Sequence, residues 1–256
     1  MEPLTMKIIH ASLKSTKSPA DVLGLGVFQD DTHFPDTVPG MDPASRDRIK
    51  KHLRRSGFNG KPGESLLVGH ASAQSGRRAA LLIGLGKKEK YTLQSVRVAA
   101  AKFLSQAKHF RYDTGAFFLD TFRGAFSLSE AASAAVEGVR LSDYYFGKYK
   151  SKPSLKPRIK ALSLVYRRPE KAGEVRRTLA RSEVIAESVL FTRDIANEPA
   201  SVMTPARLAS SARAMAAKSG LRCRVLSKSQ IRRLGMGGVL AVSQGSVHDP
   251  QFIIWK

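Results

Sequence analysis

The chain has 256 residues, enough for two modest domains that each bury an apolar core. Its net charge of +22, from 43 Lys and Arg against 21 Asp and Glu, favours acidic partners or a strongly solvated surface and decides no fold. The single cysteine excludes an intrachain disulfide and points to a reducing compartment. The apolar run at residues 79–86 is far too short for a membrane span of roughly 20 residues, and the N-terminal stretch lacks a signal-peptide apolar region. These features indicate a cytoplasmic protein with no membrane partner, an organelle being the alternative.

Residues 6–11 and 22–28 read as strands, the second apolar enough to be covered on both faces. "DPASRDRIKKHLRRSGF" (42–58) is a basic amphipathic helix closed by Gly57. Strands follow at 65–71 and 78–86. Thr92 then caps a helix whose apolar residues Leu93, Val96, Ala100, Phe103, Leu104 and Ala107 recur at three- and four-residue steps. A strand is expected at 114–120, and Ser127 with Glu130 forms a capping box opening the next helix.

The tract at 146–158, with two prolines and many lysines, is an exposed connection, and 159–166 is a strand with Leu162, Leu164 and Tyr166 on one face. A long helix from about Pro169 carries Val175, Leu179, Ile185 and Val189 and stops near Asn197, because Pro199 cannot continue it. Thr204-Pro205 supplies an N-cap and first-turn proline for a helix with Leu208, Ala212 and Met215 on one face. Residues 223–226 form a strand, Ser227 and Gln230 box a short helix ended by Gly235, and 237–246 and 251–256 finish the chain. The alternation of strand and helix predicts an α/β protein. It comprises an N-terminal mixed-sheet α/β domain (1–168), a long connecting helix (169–197) and the truncated beginning of a second α/β domain (198–256).

No residue cluster announces catalysis. The six histidines have no partner at metal-ligand spacing, so they read as isolated surface or strand-end residues. Cys223 lies between two arginines, a setting that suits a reactive thiol, but a small buried strand residue is the simpler reading. The glycine pairs at 24–26 and 84–86 lack the spacing of a dinucleotide fingerprint or P-loop and are read as glycines that end or bend strands. Ser246, His248 and Asp249 are too close in sequence for a triad and are expected in a loop.

The basic clusters carry more information. If Lys150, Lys152, Arg158, Arg167 and Arg168 converge on one face, they would contact phosphates, and affinity would fall steeply with salt. The competing reading is a solvated helix face and linker. Tyr144, Tyr145, Phe146 and Tyr149 could stack on bases, or pack the end of their helix.

"ESVLFTRDIANEPASVMTPARLA" (187–209) resembles the junction of the leucyl aminopeptidase (cytosol aminopeptidase) family, where a long helix leads through a proline-bearing turn into the catalytic domain. The similarity continues through "LSKSQIRRLGMGGVLAVSQGS" (226–246), and 80–101 and 130–152 resemble the family's N-terminal domain. The resemblance implies a metalloaminopeptidase that removes N-terminal residues, often leucine, from peptides, as a homo-oligomer or larger assembly with two zinc or manganese ions. The family's metal ligands lie in a "GKG…FDSGG"-type and an "NTDAEGR"-type segment, and neither occurs in this chain. No catalytic residue and no metal ligand is therefore assigned, and the chain alone is expected to be inactive. The alternative is a non-catalytic basic relative that binds DNA, RNA or a ribonucleoprotein assembly.

Overall fold

The computed structural model describes residues 6–12, 20–30, 38, 43–69, 79–151 and 159–256. The chain divides into two compact units, Met1–Leu190 and Phe191–Lys256.

Unit 1 is built on a six-stranded sheet. In chain order its elements are β1 (Lys7–Ser12), β2 (Val22–Phe28), α1 (Pro43–Arg55), β3 (Ser65–Gly69), β4 (Ala79–Gly86), α2 (Leu93–His109), β5 (Thr114–Phe118), α3 (Leu119–Phe122), α4 (Leu128–Asp143) and β6 (Ala161–Tyr166). The first part of α5 (Ala172–Asn197) completes it. The strand order is β1-β6-β5-β2-β4-β3, with β3 antiparallel to β4 and every other pairing parallel. Parallel strands need crossovers, and these place helices on both faces.

The strand alternation assigns each side chain to one of two cores. From β4, Leu81, Ile83 and Leu85 join Phe117, Leu162, Leu164 and Tyr166 under α2, α4 and α5. Ala80 and Leu82 turn the other way, with Leu23, Leu25, Phe118 and Val165, against Ile49 and Leu53 of α1. In the middle of β2 the residue facing α2 is Gly24, and the cause is space. A Cβ on Gly24 would sit 2.6 Å from the Phe103 ring. The glycine pair at 24–26 thus admits a large aromatic side chain in mid-strand and neither ends nor bends β2.

On the helical layer, α4 is lined by buried Ala131, Ala132, Ala134 and Ala135. Any Cβ on Gly138 would collide with the Arg97 carbonyl, so α2 and α4 approach backbone to backbone. Ion pairs flank the seam: Arg97 Nε to Glu137 Oε2 at 2.6 Å, and Lys108 to Asp143. Arg140 grips Glu183 of α5 with Nε and Nη2, at 2.6 and 2.7 Å, and donates Nη1 to the Met6 carbonyl at 2.6 Å. The expected cap at Thr92, which the structure completes as a box with Ser95, and the expected capping box at Ser127 are both present.

One boundary differs from the sequence reading. The strand expected over 114–120 stops at Phe118, and 119–122 make a helical turn. Thr121 explains the break: its Oγ1 donates to the Phe118 carbonyl at 2.8 Å and accepts the Gly26 amide at 2.9 Å, so the hydroxyl replaces the next rung between β5 and β2.

In unit 2, Thr204 caps α6 (Pro205–Ser219), which closes on Gly220 at φ +69°. β7 (Cys223–Leu226) pairs antiparallel with β8 (Phe252–Trp255). Between them lie α7 (Lys228–Arg233), opened by the Ser227–Gln230 box, and α8 (Gly237–Ser243). Ala209, Ala212, Ala216, Leu226 and Ile231 are buried, whereas Leu208, on the expected apolar face, stays exposed.

Two substitutions test this packing. Gly138→Val should destabilise the chain by about 3 kcal/mol in urea unfolding through overpacking, while Ser105→Ala on the exposed face of α2 should stay within about 0.5 kcal/mol. Arg140→Met should cost about 2 kcal/mol by stranding Glu183 and the Met6 carbonyl, with most of that loss absent when Glu183→Gln is already in place.

Candidate functional site

A crevice opens at the carboxyl edge of the unit 1 sheet for a topological reason. β2 and β5 are parallel neighbours, paired through Gly24 and Phe117. The chain leaves β2 towards α1 on one face and leaves β5 through α3 and α4 on the other. Adjacent strands whose outgoing connections part to opposite faces leave a gap, the usual place for a ligand in an open α/β sheet.

The resulting cavity measures about 520 Å³ and is lined by the ends of β2 and β5, the turn after β4, the α3–α4 loop and Arg167 beyond β6. Its walls are aromatic and cationic. Phe28 meets Tyr91 edge-on at 4.9 Å between ring centroids, and Tyr91 lies 6.3 Å from Phe126. The Tyr91 hydroxyl donates to the Phe122 carbonyl at 2.6 Å, and burial pushes its pKa far above the usual tyrosine value, so it stays neutral. Arg123 Nη1 donates to the Phe126 carbonyl at 3.0 Å, holding the loop across Gly124 at φ +55°. Lys88 Nζ stands 5.6 Å from the Phe28 ring centroid, and the Arg167 guanidinium lies 5.4 Å from that of Phe118. Among the described lining residues the one carboxylate, Asp120, accepts the Arg167 amide at 2.9 Å. Among the described residues the lining has no histidine or cysteine.

Of the residues singled out as phosphate contacts, Arg167 and Arg168 follow β6 at this carboxyl edge, both exposed, and Arg167 lines the cavity. Lys150 belongs to the segment that leaves α4 at the opposite, amino edge, where Asp143 meets Lys108 and Arg140 meets Met6. Its Nζ sits 5.1 Å from the Tyr145 ring centroid. The six residues of β6 separate the two edges by about 20 Å. Lys152 and Arg158 lie outside the described residues. Tyr144, Tyr145 and Phe146 are half-buried at the end of α4, while Tyr149 is exposed beside Lys148. Lys88, Tyr91, Arg123 and Phe126 escaped the sequence reading because four separate segments supply the site. The only sequence signal is their position just past strand ends.

In unit 2, Asp249 pairs with Lys228 at 2.8 Å, and the Ser246 hydroxyl accepts the His248 amide at 3.1 Å. The loop reading of this segment holds and no triad forms. Cys223 is half-buried on β7. A groove of about 320 Å³ is lined by Phe191, Ile195, Leu208, Ala212, Ile253 and Trp255. Among the described residues, no group of three or more His, Cys, Asp or Glu stands where it could hold a metal ion. A divalent pair needs clustered carboxylates, and these residues do not fit one. No described helix is long and apolar enough to cross a membrane.

Residues 25–153 match the N-terminal domain of the cytosol aminopeptidase family, and residues 190–256 match its catalytic domain. A probable cytosol aminopeptidase of Alkaliphilus metalliredigens is 28% identical over 256 residues, covering 99% of this chain and 50% of that protein. The chain thus spans about half the length of such curated relatives. Among solved structures, the bottromycin maturation enzyme BotP in complex with Mn is 26% identical, with a TM-score of 0.70 over 92% of this chain and 45% of that one. A tomato leucine aminopeptidase variant, 22% identical, shares the fold at a TM-score of 0.79 over 97% of this chain and 50% of that one. The two domain matches fall in order on the two units described above, and the chain belongs to the cytosol aminopeptidase family.

Proposed function

We propose that this chain supplies the N-terminal domain and the first part of the catalytic domain of a metal-dependent aminopeptidase that removes N-terminal residues from peptides, and that residues 1–256 alone do not catalyse the reaction. The observation carrying the second half is the donor set. Within the catalytic-domain match, the acidic residues are Asp194, Glu198 and Asp249, and Asp249 is occupied by Lys228. Such a sparse set cannot seat two divalent cations. The first half rests on the two ordered domain matches and on a relative of similar fold that was solved with Mn.

The surface of unit 2 agrees with this reading. Val242 and Val247 are 90% and 97% exposed, and the rim residue Trp255 is 48% exposed. A domain that small leaves apolar side chains uncovered unless further structure packs on them. Additional catalytic-domain sequence on this surface, together with homo-oligomer assembly in the cytoplasm, belongs to the same proposal.

Peptide hydrolysis gives the test. The purified 256-residue chain, given manganese or zinc, should release no leucine from a leucyl peptide above the buffer rate. Joined to the remaining half of a relative's chain, it should turn the peptide over in proportion to added metal. Sustained turnover by the 256-residue chain alone would show that the donor-set argument is wrong.

A further inference from the structure

We propose that the groove of unit 2 docks a separate polypeptide, the acidic, metal-binding half of an aminopeptidase catalytic domain, without a peptide bond joining the two. This docking presupposes the function proposed above and adds the place and the chemistry of the contact. Three elements build the apolar surface: Phe191 and Ile195 come from α5, Leu208 and Ala212 from α6, and Ile253 and Trp255 from β8. The register pairs Trp255 with Cys223 and Ile253 with Val225, so these four side chains share the sheet face that the groove uses. Phe191, Leu208 and Trp255 are 36%, 39% and 48% exposed. Around a cavity of about 320 Å³ they offer a seat for a partner's apolar side chains, with Trp255 as the aromatic anchor. Among the described residues β8 pairs with β7 alone, and its other edge presents backbone groups to an added strand.

Charge selects the partner. All of Phe191–Lys256 is described, and it holds ten Lys and Arg against Asp194, Glu198 and Asp249, a net of +7. Asp249 pairs with Lys228, and Asp194 and Glu198 have partners as well. Arg207 and Arg213, both exposed, stand next to Leu208 and Ala212 on α6. Reciprocal backbone hydrogen bonds of 2.9 Å between Arg222 and Lys256 set two more exposed cations at the Trp255 end of the groove. A second copy of this chain would bring the same positive charge to this surface, which opposes pairing. A polypeptide with an apolar segment and clustered carboxylates complements both features. A two-metal hydrolytic site demands such carboxylates of whichever chain holds it. The relatives that this chain matches over about half of their length have a further half to supply them.

The test is to produce this chain together with the unmatched half of the Alkaliphilus metalliredigens relative, as two polypeptides. They should purify as one complex with a dissociation constant of about 10 μM or tighter, weakened at least about threefold between about 0.05 M and 0.5 M NaCl. The double variant Phe191→Gln, Leu208→Gln should weaken the complex by about tenfold or more at an unchanged Tm, while Val98→Gln, exposed on α2, should stay within about twofold. Trp255 is the only tryptophan of the chain, so the fluorine resonance of 5-fluorotryptophan should shift when the complex forms, a readout that needs no variant. No complex, a complex indifferent to the double variant, an unmoved fluorine resonance, or a groove filled by a second copy of this chain would each overturn the proposal. A covalent fusion of the two halves separates the outcomes. An active fusion without a complex in trans refutes the docking and leaves the proposed function standing, and an inactive fusion with a groove-dependent complex does the reverse.

Discussion

Strand β2 must be buried on both faces while its neighbours diverge, and much of unit 1 follows from that constraint. On one side it presents Leu23 and Leu25 to α1. On the other it presents Val22 and then backbone, because Phe103 of α2 lies where a side chain on Gly24 would be. The strand is thereby locked between two layers, with β4 and β5 as parallel neighbours. Its connection leaves towards one layer and that of β5 towards the other. The gap between them cannot be filled by regular structure, so Thr121 ends the ladder with its hydroxyl and the α3–α4 loop rims an open crevice. Fold and cavity share one cause.

Much of this was legible in the sequence, and specific residues show why. Elements opened by local chemistry were readable: the caps at Thr92 and Thr204 and the boxes at Ser127 and Ser227 each satisfy amides within the same segment. The face of Leu162, Leu164 and Tyr166 was readable because a single strand's alternation assigns it, and all three enter the core beneath α2 and α4. The family junction at 187–209 was readable as a string of residues, and the domain matches at 25–153 and 190–256 agree with it.

What stayed hidden depends on distant parts of the chain. The end of β5 at Phe118 is set by Gly26, some 95 positions from Thr121, and an apolar run of Phe, Phe and Leu fits strand or helix equally well. Gly24 looked like a strand terminator because its partner, Phe103, arrives from another helix. The lysines and arginines of 147–181 form one cluster along the chain, but β6 carries Arg167 and Arg168 to the edge opposite the one where α4 ends. Conversely, Lys88, Arg123 and Arg167 are scattered in sequence and share one cavity. Charge density along a chain is a poor guide to charge density in space.

Unit 2 is held differently. Among the described residues its two strands pair with each other alone, and many of its apolar side chains are exposed. The unit 1 sheet should therefore be the stable body of the chain, organised around β2. Native-state hydrogen exchange measures this directly. The amides of β2, β4 and β5 should exchange only through global unfolding, and those of β7 and β8 through local opening of far lower free energy. Equal protection of β8 and β2, or early exchange at Leu23 and Leu25, would contradict the central place of β2 in the fold.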